Sequence, residues 1–269
     1  MFRQNLSRRD ALLSLGAGVC ALTFGDMVFA SKARAQKQGA RIAFMGDSMI
    51  DGIWASEKRD LERDACLKQA VSTGRYAENG SGLARADKFH WPEKAAKIMT
   101  EFQPDLVVAS FGLNDRQGVV DNERNVRVEF GNPEWEARYR EQVTAFLKSA
   151  GTGRAGLLWL GLPVLREKEA NEDATSKNRI FRETIKAFGD EKVAYVEPWR
   201  IAGPEGDAYQ AYMTEASGAK LQIRSPDGIH FTRAGYDLIS AYLGPQILSQ
   251  LKSRLAADWT CEATARSTP

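Results

Sequence analysis

Histidine and cysteine are scarce, with two of the first and three of the second among 269 residues. Any histidine acting as a general base must therefore be His90 or His230. Cys20, Cys66 and Cys261 are spaced like no zinc motif, which removes the common structural-zinc domains from consideration. A Lys/Arg-rich run is also lacking, and the formal net charge is only +2, so neither a local patch nor a long-range field favours nucleic acid. The one long apolar stretch, Ala11 to Gly25, is broken by Asp26 and is shorter than the roughly 20 residues a spanning helix needs. No Ser/Gly/Pro-rich linker, composition shift or solenoid-length repeat divides residues 41–258. With 43% hydrophobic residues the chain can fill a core, and disorder is not the default reading.

The first segment reads as an address rather than as part of the fold. Arg3, Arg8 and Arg9 precede the apolar run, and Ala33-Arg34-Ala35 offers a small-x-small cleavage site. Residues 1–35 are expected to be a cleaved signal peptide, leaving 36–269 as a single domain with a short C-terminal tail. Ser7-Arg8-Arg9-Asp10-Ala11-Leu12-Leu13 resembles a twin-arginine signal. Ala11 stands where Phe is usual, so the general secretory route stays open. Val19 before Cys20 argues against lipidation. Cleavage removes five basic and two acidic residues and turns the net charge from +2 into −1. The expected destination is the periplasm, with no integral membrane segment after processing. There Cys66 and Cys261 either pair, tying the tail to the body, or remain unrelated thiols.

Past the signal, short apolar runs alternate with helical patterns, the sequence form of an α/β domain with a parallel sheet covered by helices. Strands are expected at Arg41–Met45, Asp105–Phe111, Gly156–Leu162 and Val193–Val196. Helices are expected at Pro92–Phe102, Pro133–Ala150, Ser176–Phe188 and from Thr232 to Leu255. The last carries Ile239, Tyr242, Leu243 and Leu251 as its apolar stripe, and Gly244-Pro245 should kink or split it. Long connections at Ser56–Phe89, Asn114–Asn132 and Pro198–Ser225 are candidates for shaping a substrate site.

Nucleophilic ester chemistry needs an exposed hydroxyl, a base, an acid that orients the base, and donors for an oxyanion. Met45-Gly46-Asp47-Ser48 closes the first strand, which puts Ser48 past a strand's carboxyl end, where open parallel sheets bind ligands. By itself Gly-Asp-Ser is weak, since glycine turns before helix-capping serines are common. His230 follows Ser225-Pro226-Asp227-Gly228-Ile229, so Asp227 can fold back onto one ring nitrogen and leave the other facing the serine. His90, between Phe89 and Trp91-Pro92, reads as a packed helix entry or a pocket wall. Gly112-Leu113-Asn114-Asp115 follows the Asp105–Phe111 strand and supplies an amide side chain that can donate to an oxyanion.

Gly46-Asp47-Ser48, a glycine-containing loop, Gly112-x-Asn114-Asp115 and Asp227-x-x-His230, in this order, resemble the SGNH or GDSL hydrolase superfamily, over most of the chain after the signal. The resemblance implies a flavodoxin-like three-layer α/β/α sandwich and an esterase mechanism with no metal or other cofactor. It implies Ser48 as nucleophile, His230 as base, and an oxyanion hole made by the Ser48 amide, a glycine amide and Asn114. In Asn79-Gly80-Ser81-Gly82-Leu83-Ala84-Arg85 that glycine is Gly82, with Gly80 as fallback. Asp227 would orient His230, a role that in this superfamily can be weak or shared with a backbone carbonyl. Met49 replaces the leucine of the GDSL name at similar volume. The expected substrate is a small ester or an acylated envelope glycan. A lysophospholipase or thioesterase is the next reading, and a non-catalytic glycan-binding protein of the same fold is the alternative of another class. Trp54, Trp91 and Trp135 are candidate sugar-stacking rings with packing as the equal alternative, whereas Trp159 inside a strand reads as core.

Overall fold

The computed structural model describes residues 39–122, 124–151, 153–197 and 208–252. Both the expected signal peptide and Cys261 lie outside them. Cys66 is disulfide-bonded, and its partner likewise falls outside the described residues.

Five strands form one all-parallel sheet in the order β2-β1-β3-β6-β7, built from β1 (Ala40–Gly46), β2 (Val71–Ala77), β3 (Leu106–Ser110), β6 (Gly156–Leu160) and β7 (Val193–Val196). The alternation of side chains along each strand sorts the core into two layers. Ile42 and Phe44 of β1, Leu106 and Val108 of β3, and Leu158 and Leu160 of β6 point to one face. There they meet α1 (Ser48–Arg63) and α6 (Arg233–Lys252) through Ile50, Ile53, Ile239 and Leu243. Ala43, Met45, Val107, Ala109, Leu157 and Trp159 point to the other face. That side is covered by α3 (Trp91–Glu101), α4 (Trp135–Ala150) and α5 (Lys168–Phe188). The chain is thus the α/β/α sandwich expected of it. Strands buried on both faces need continuous apolar runs, which is why β1, β3 and β6 were readable; the half-buried edge strand β7 was readable because Val-Ala-Tyr-Val is still a short apolar run.

The fifth, β2, was not expected, because a half-exposed edge strand reading Val-Ser-Thr-Gly-Arg-Tyr-Ala carries no apolar run. It, α1 and α2 (Ala65–Ala70) occupy much of the supposed Ser56–Phe89 connection. The other two long connections hold hairpins, β4 (Val119–Asp121) with β5 (Val126–Val128) and β8 (Tyr212–Thr214) with β9 (Lys220–Gln222). Helix α5 starts eight residues before the expected Ser176. Its charged first turns lie largely on the surface and so leave no apolar stripe to read. Helix α6 is not split at Gly244-Pro245: both residues sit inside one helix. Its buried stripe uses Ile239, Leu243 and Leu251 but not Tyr242, which is 42% exposed.

Strand order places β1 between β2 and β3, so the connections leaving β1 and β3 diverge at their carboxyl ends and open a crevice there. Ser48 and Asn114 follow those two strands.

Candidate active site

The turn after β1 depends on Gly46. A Cβ there would lie 2.0 Å from the Ser110 carbonyl oxygen, because β1 and β3 pair Gly46 with Ser110 and run on in close approach. The Asp47 amide donates to the same carbonyl at 3.2 Å. Asp47 then caps α1, its carboxylate accepting from the Met49 amide at 3.0 Å. Ser48 is therefore the first residue of a 16-residue helix, where backbone amides lack intrahelical partners and the helix dipole favours negative charge. Complete burial pushes the Asp47 carboxyl up to about 7, helped by the Asp115 carboxylate and opposed by the Met49 and Leu113 amides and the Lys177 ammonium. Its second oxygen has no hydrogen-bond partner among the described residues, and leaving it so costs less for the neutral than for the charged form.

Ser48 Oγ lies 2.7 Å from His230 Nε2, and His230 Nδ1 lies 2.7 Å from Asp227 Oδ2. The other Asp227 oxygen accepts from the amides of Ile229 at 2.8 Å and His230 at 3.0 Å. Partial desolvation raises the Asp227 carboxyl, but the His230 ring and these two amides outweigh it and bring it down to about 2. A carboxylate so held stays ionised and keeps Nδ1 protonated, which turns the lone pair of Nε2 toward the serine. The i, i+3 spacing works because Gly228 turns the chain at φ +76°, a left-handed conformation that glycine adopts without cost.

The amide side of the site is a locked loop. Asn114 Nδ2 donates to the Ser81 carbonyl at 2.9 Å, and Gln117 Nε2 donates to the Asn114 carbonyl at 2.6 Å. One Asn114 amide hydrogen is committed to Ser81, and a carboxamide has a second to offer. Gly82 is buried and follows directly, whereas Gly80 is exposed in a turn at φ +76°. Asp115, wholly buried, holds the same loop from below. Its carboxylate accepts from the amides of Leu83 (3.0 Å) and Ala84 (2.8 Å) and from the Tyr139 hydroxyl (2.7 Å). Burial and the Asp115 charge push the Tyr139 hydroxyl far above its ordinary range, so it remains a donor.

Ser48, His230 and Asp227 are thus brought together, and Asn114 and Gly82 meet through Ser81. His90 is elsewhere: it stands exposed at the start of α3, 3.5 Å from Glu93, and the packed residue of that helix entry is Trp91. Trp91 and Trp135 are buried loop anchors, their indoles donating to Ser81 Oγ at 2.9 Å and to the Gln117 carbonyl at 2.7 Å. Only Trp54 of the three keeps a partly open ring, with Arg75 5.9 Å from its centroid. Sequence reasoning missed Asp47 and Asp115 as supports. Both sit inside the motifs, but burial, which gives them their roles, is not visible from neighbours along the chain.

No curated protein matches the sequence. Solved structures share the fold at low identity. A carbohydrate esterase family 3 protein from Talaromyces cellulolyticus is 14% identical, with a TM-score of 0.55 over 80% of this chain and 99% of that one. A putative acylhydrolase from Bacteroides fragilis is 16% identical, with a TM-score of 0.53 over 84% and 97%. A GDSL-like lipase from Bacteroides thetaiotaomicron is 17% identical, with a TM-score of 0.50 over 81% and 93%. Matched over residues 41–246, the chain belongs to the family described as Protein of unknown function (DUF459), and it shares its fold with GDSL-like hydrolases.

Proposed function

We propose that this chain is an exported serine esterase. The observation that carries the reading is the unbroken Ser48–His230–Asp227 relay, with both contacts at 2.7 Å, at the amino end of a helix. In the proposed cycle His230 Nε2 takes the Ser48 proton as Oγ attacks the ester carbonyl. The oxyanion rests on the amides of Ser48 and Gly82 and on the Asn114 carboxamide, and one such donor is typically worth about 2.7–4 kcal/mol in the transition state. His230 then protonates the leaving alcohol, and water repeats the sequence to free the acid. Asp227 holds the ring and balances the imidazolium charge.

The proposed substrate class is an O-acyl, chiefly O-acetyl, ester on envelope carbohydrate. A fold shared with a carbohydrate esterase and an export-type first segment support this. A fold shared with a GDSL-like lipase supports the second reading, a lysolipid or thioester hydrolase. Fluorophosphonate labelling of the purified protein tests the chemistry: wild type labels and Ser48→Ala does not. No labelling of wild type, with Ser48→Ala equal to it on every small ester, refutes the enzyme in favour of a glycan-binding protein. Acetate release from O-acetylated glycan against fatty-acid release from lysolipid decides the substrate class. For export, a periplasmic protein whose amino terminus begins near residue 36 is the expected product, and retention in the cytoplasm at full length overturns that part.

A further inference from the structure

The turn bearing Asp227 and His230 is held from inside by a residue that bonds to its backbone carbonyls and, among the described residues, makes no hydrogen bond to either side chain. Arg224 is 1% exposed, and its guanidinium meets backbone rather than carboxylate among the described residues. Nη1 donates to the Val164 carbonyl at 2.8 Å and Nη2 to the Ile229 carbonyl at 2.7 Å, with longer contacts to the carbonyls of Gly228 (3.5 Å) and His230 (3.4 Å). Its plane lies against two rings, 4.2 Å from the Phe231 centroid and 5.0 Å from that of Tyr209. Two neighbouring bonds brace the same hairpin: the Ser225 amide donates to the His230 carbonyl at 2.9 Å, and Arg224 bridges Phe231 in antiparallel fashion.

A buried cation is costly unless something repays its desolvation. Here the fork spans two segments, the stretch after β6 through Val164 and the histidine turn through Ile229. Among the described residues these are otherwise tied only at the outer side of the turn, where the Arg166 amide donates to the Gly228 carbonyl at 3.2 Å and its guanidinium to the carbonyls of Pro226 (2.7 Å) and Asp227 (3.2 Å). A lysine could replace the charge but not the reach, since an ammonium is a point donor and cannot lie flat between rings while bonding on two sides.

We propose that Arg224 is the positioning residue of His230, fixing through the carbonyls on either side of it how the imidazole sits over Ser48. The kinetic consequence rests on the serine esterase reading above; the geometric one does not. With the ring free to tilt, the 2.7 Å contacts of Nε2 to Ser48 and Nδ1 to Asp227 are no longer held together.

The test compares full-chain wild type with Arg224→Lys. On p-nitrophenyl acetate, well below the melting temperature, kcat falls about 10- to 100-fold while KM stays within about twofold, the pattern of a misplaced catalytic group. In parallel, nitrogen-15 NMR of the two imidazoles, assigned with His230→Ala, gives a sharp His230 Nδ1–H signal in wild type and a broadened or shifted one in Arg224→Lys. A variant that melts earlier but keeps wild-type kcat and an unchanged His230 signal has lost only packing, and that outcome overturns the proposal. If wild type hydrolyses nothing and takes no fluorophosphonate, the esterase reading fails by itself and the His230 signal still decides the role of Arg224. Should Arg224→Lys not fold, Phe231→Leu keeps the guanidinium and removes its nearer ring; smaller changes in the same two readouts support the proposal, and their absence overturns it.

Discussion

Gly82→Ala is the substitution whose effect can be worked most directly from the structure. Gly82 is not among the glycines with positive φ, so no left-handed backbone requires glycine there. The obstacle is a neighbour: a Cβ would lie 2.0 Å from Asp115 Oδ1 and 2.6 Å from its Cγ. That carboxylate is not the free end of a surface side chain, since the Leu83 and Ala84 amides and the Tyr139 hydroxyl hold it at 2.7–3.0 Å. Relieving the overlap moves it by more than about 1 Å, beyond the range of at least one of those bonds. Bonds to a buried charge are worth about 1.5–3 kcal/mol each, and a charge left partly unpaired adds to the loss, so Gly82→Ala costs about 3–5 kcal/mol. Against a typical total of about 5–15 kcal/mol this is a large fraction. Urea unfolding of Gly82→Ala, Asp115→Ala and the double variant provides the check. With Asp115 already gone the added methyl meets little, so the double variant should be more stable than the summed singles by at least about 2 kcal/mol. Additivity within about 0.5 kcal/mol would falsify the steric account.

Other expectations follow from burial and charge. Asp47 holds its proton up to about 7 in the folded chain but only to about 3.8 when unfolded, so folding is favoured below 3.8 and that advantage is lost as pH rises through 7. The loss approaches about 4 kcal/mol at 1.36 kcal/mol per pH unit; Asp47→Asn flattens the stability slope between pH 4 and 7, and equal slopes in urea unfolding refute it. Asp227 is the opposite case: its folded value of about 2 lies below the ordinary range, so its contribution is present above pH 3.8 and fades as pH falls toward 2. The stability gap between wild type and Asp227→Asn should therefore close on acidification, and a gap that persists at pH 2 contradicts the assignment. Trp159, wholly buried among Phe111, Phe146 and Phe181, should cost about 3–5 kcal/mol when changed to alanine, as read by thermal or urea unfolding.

The legible parts of this fold are those whose side chains see the same environment along their whole length. Strands β1, β3 and β6 are apolar on both faces and so carry an uninterrupted signal; of the two edge strands, half-buried β7 still reads Val-Ala-Tyr-Val, while β2 is interrupted by Ser, Thr, Gly and Arg and carries none. The candidate site was legible where its chemistry is local. Asp227 and His230 are three residues apart, and a glycine turn is enough to put Nδ1 on the carboxylate. Two of the indoles left open between sugar platform and packing could not be decided for the converse reason: tryptophan beside a loop looks alike whether it faces solvent or, as Trp91 and Trp135 do, pins the loop to the core.

By itself, then, the sequence determined the residue types of the site and the alternating pattern that makes a parallel sheet. Tertiary structure alone decided that Ser48 and His230, 182 positions apart, meet at 2.7 Å. It also decided that Asp47 and Asp115 are sealed from water and that Arg224 joins two segments the chain leaves far apart. The physical reason is that hydrophobic periodicity is a property of neighbours. Desolvation, close approach and the pairing of distant polar groups exist only once the sheet has assembled and its helices have closed over it.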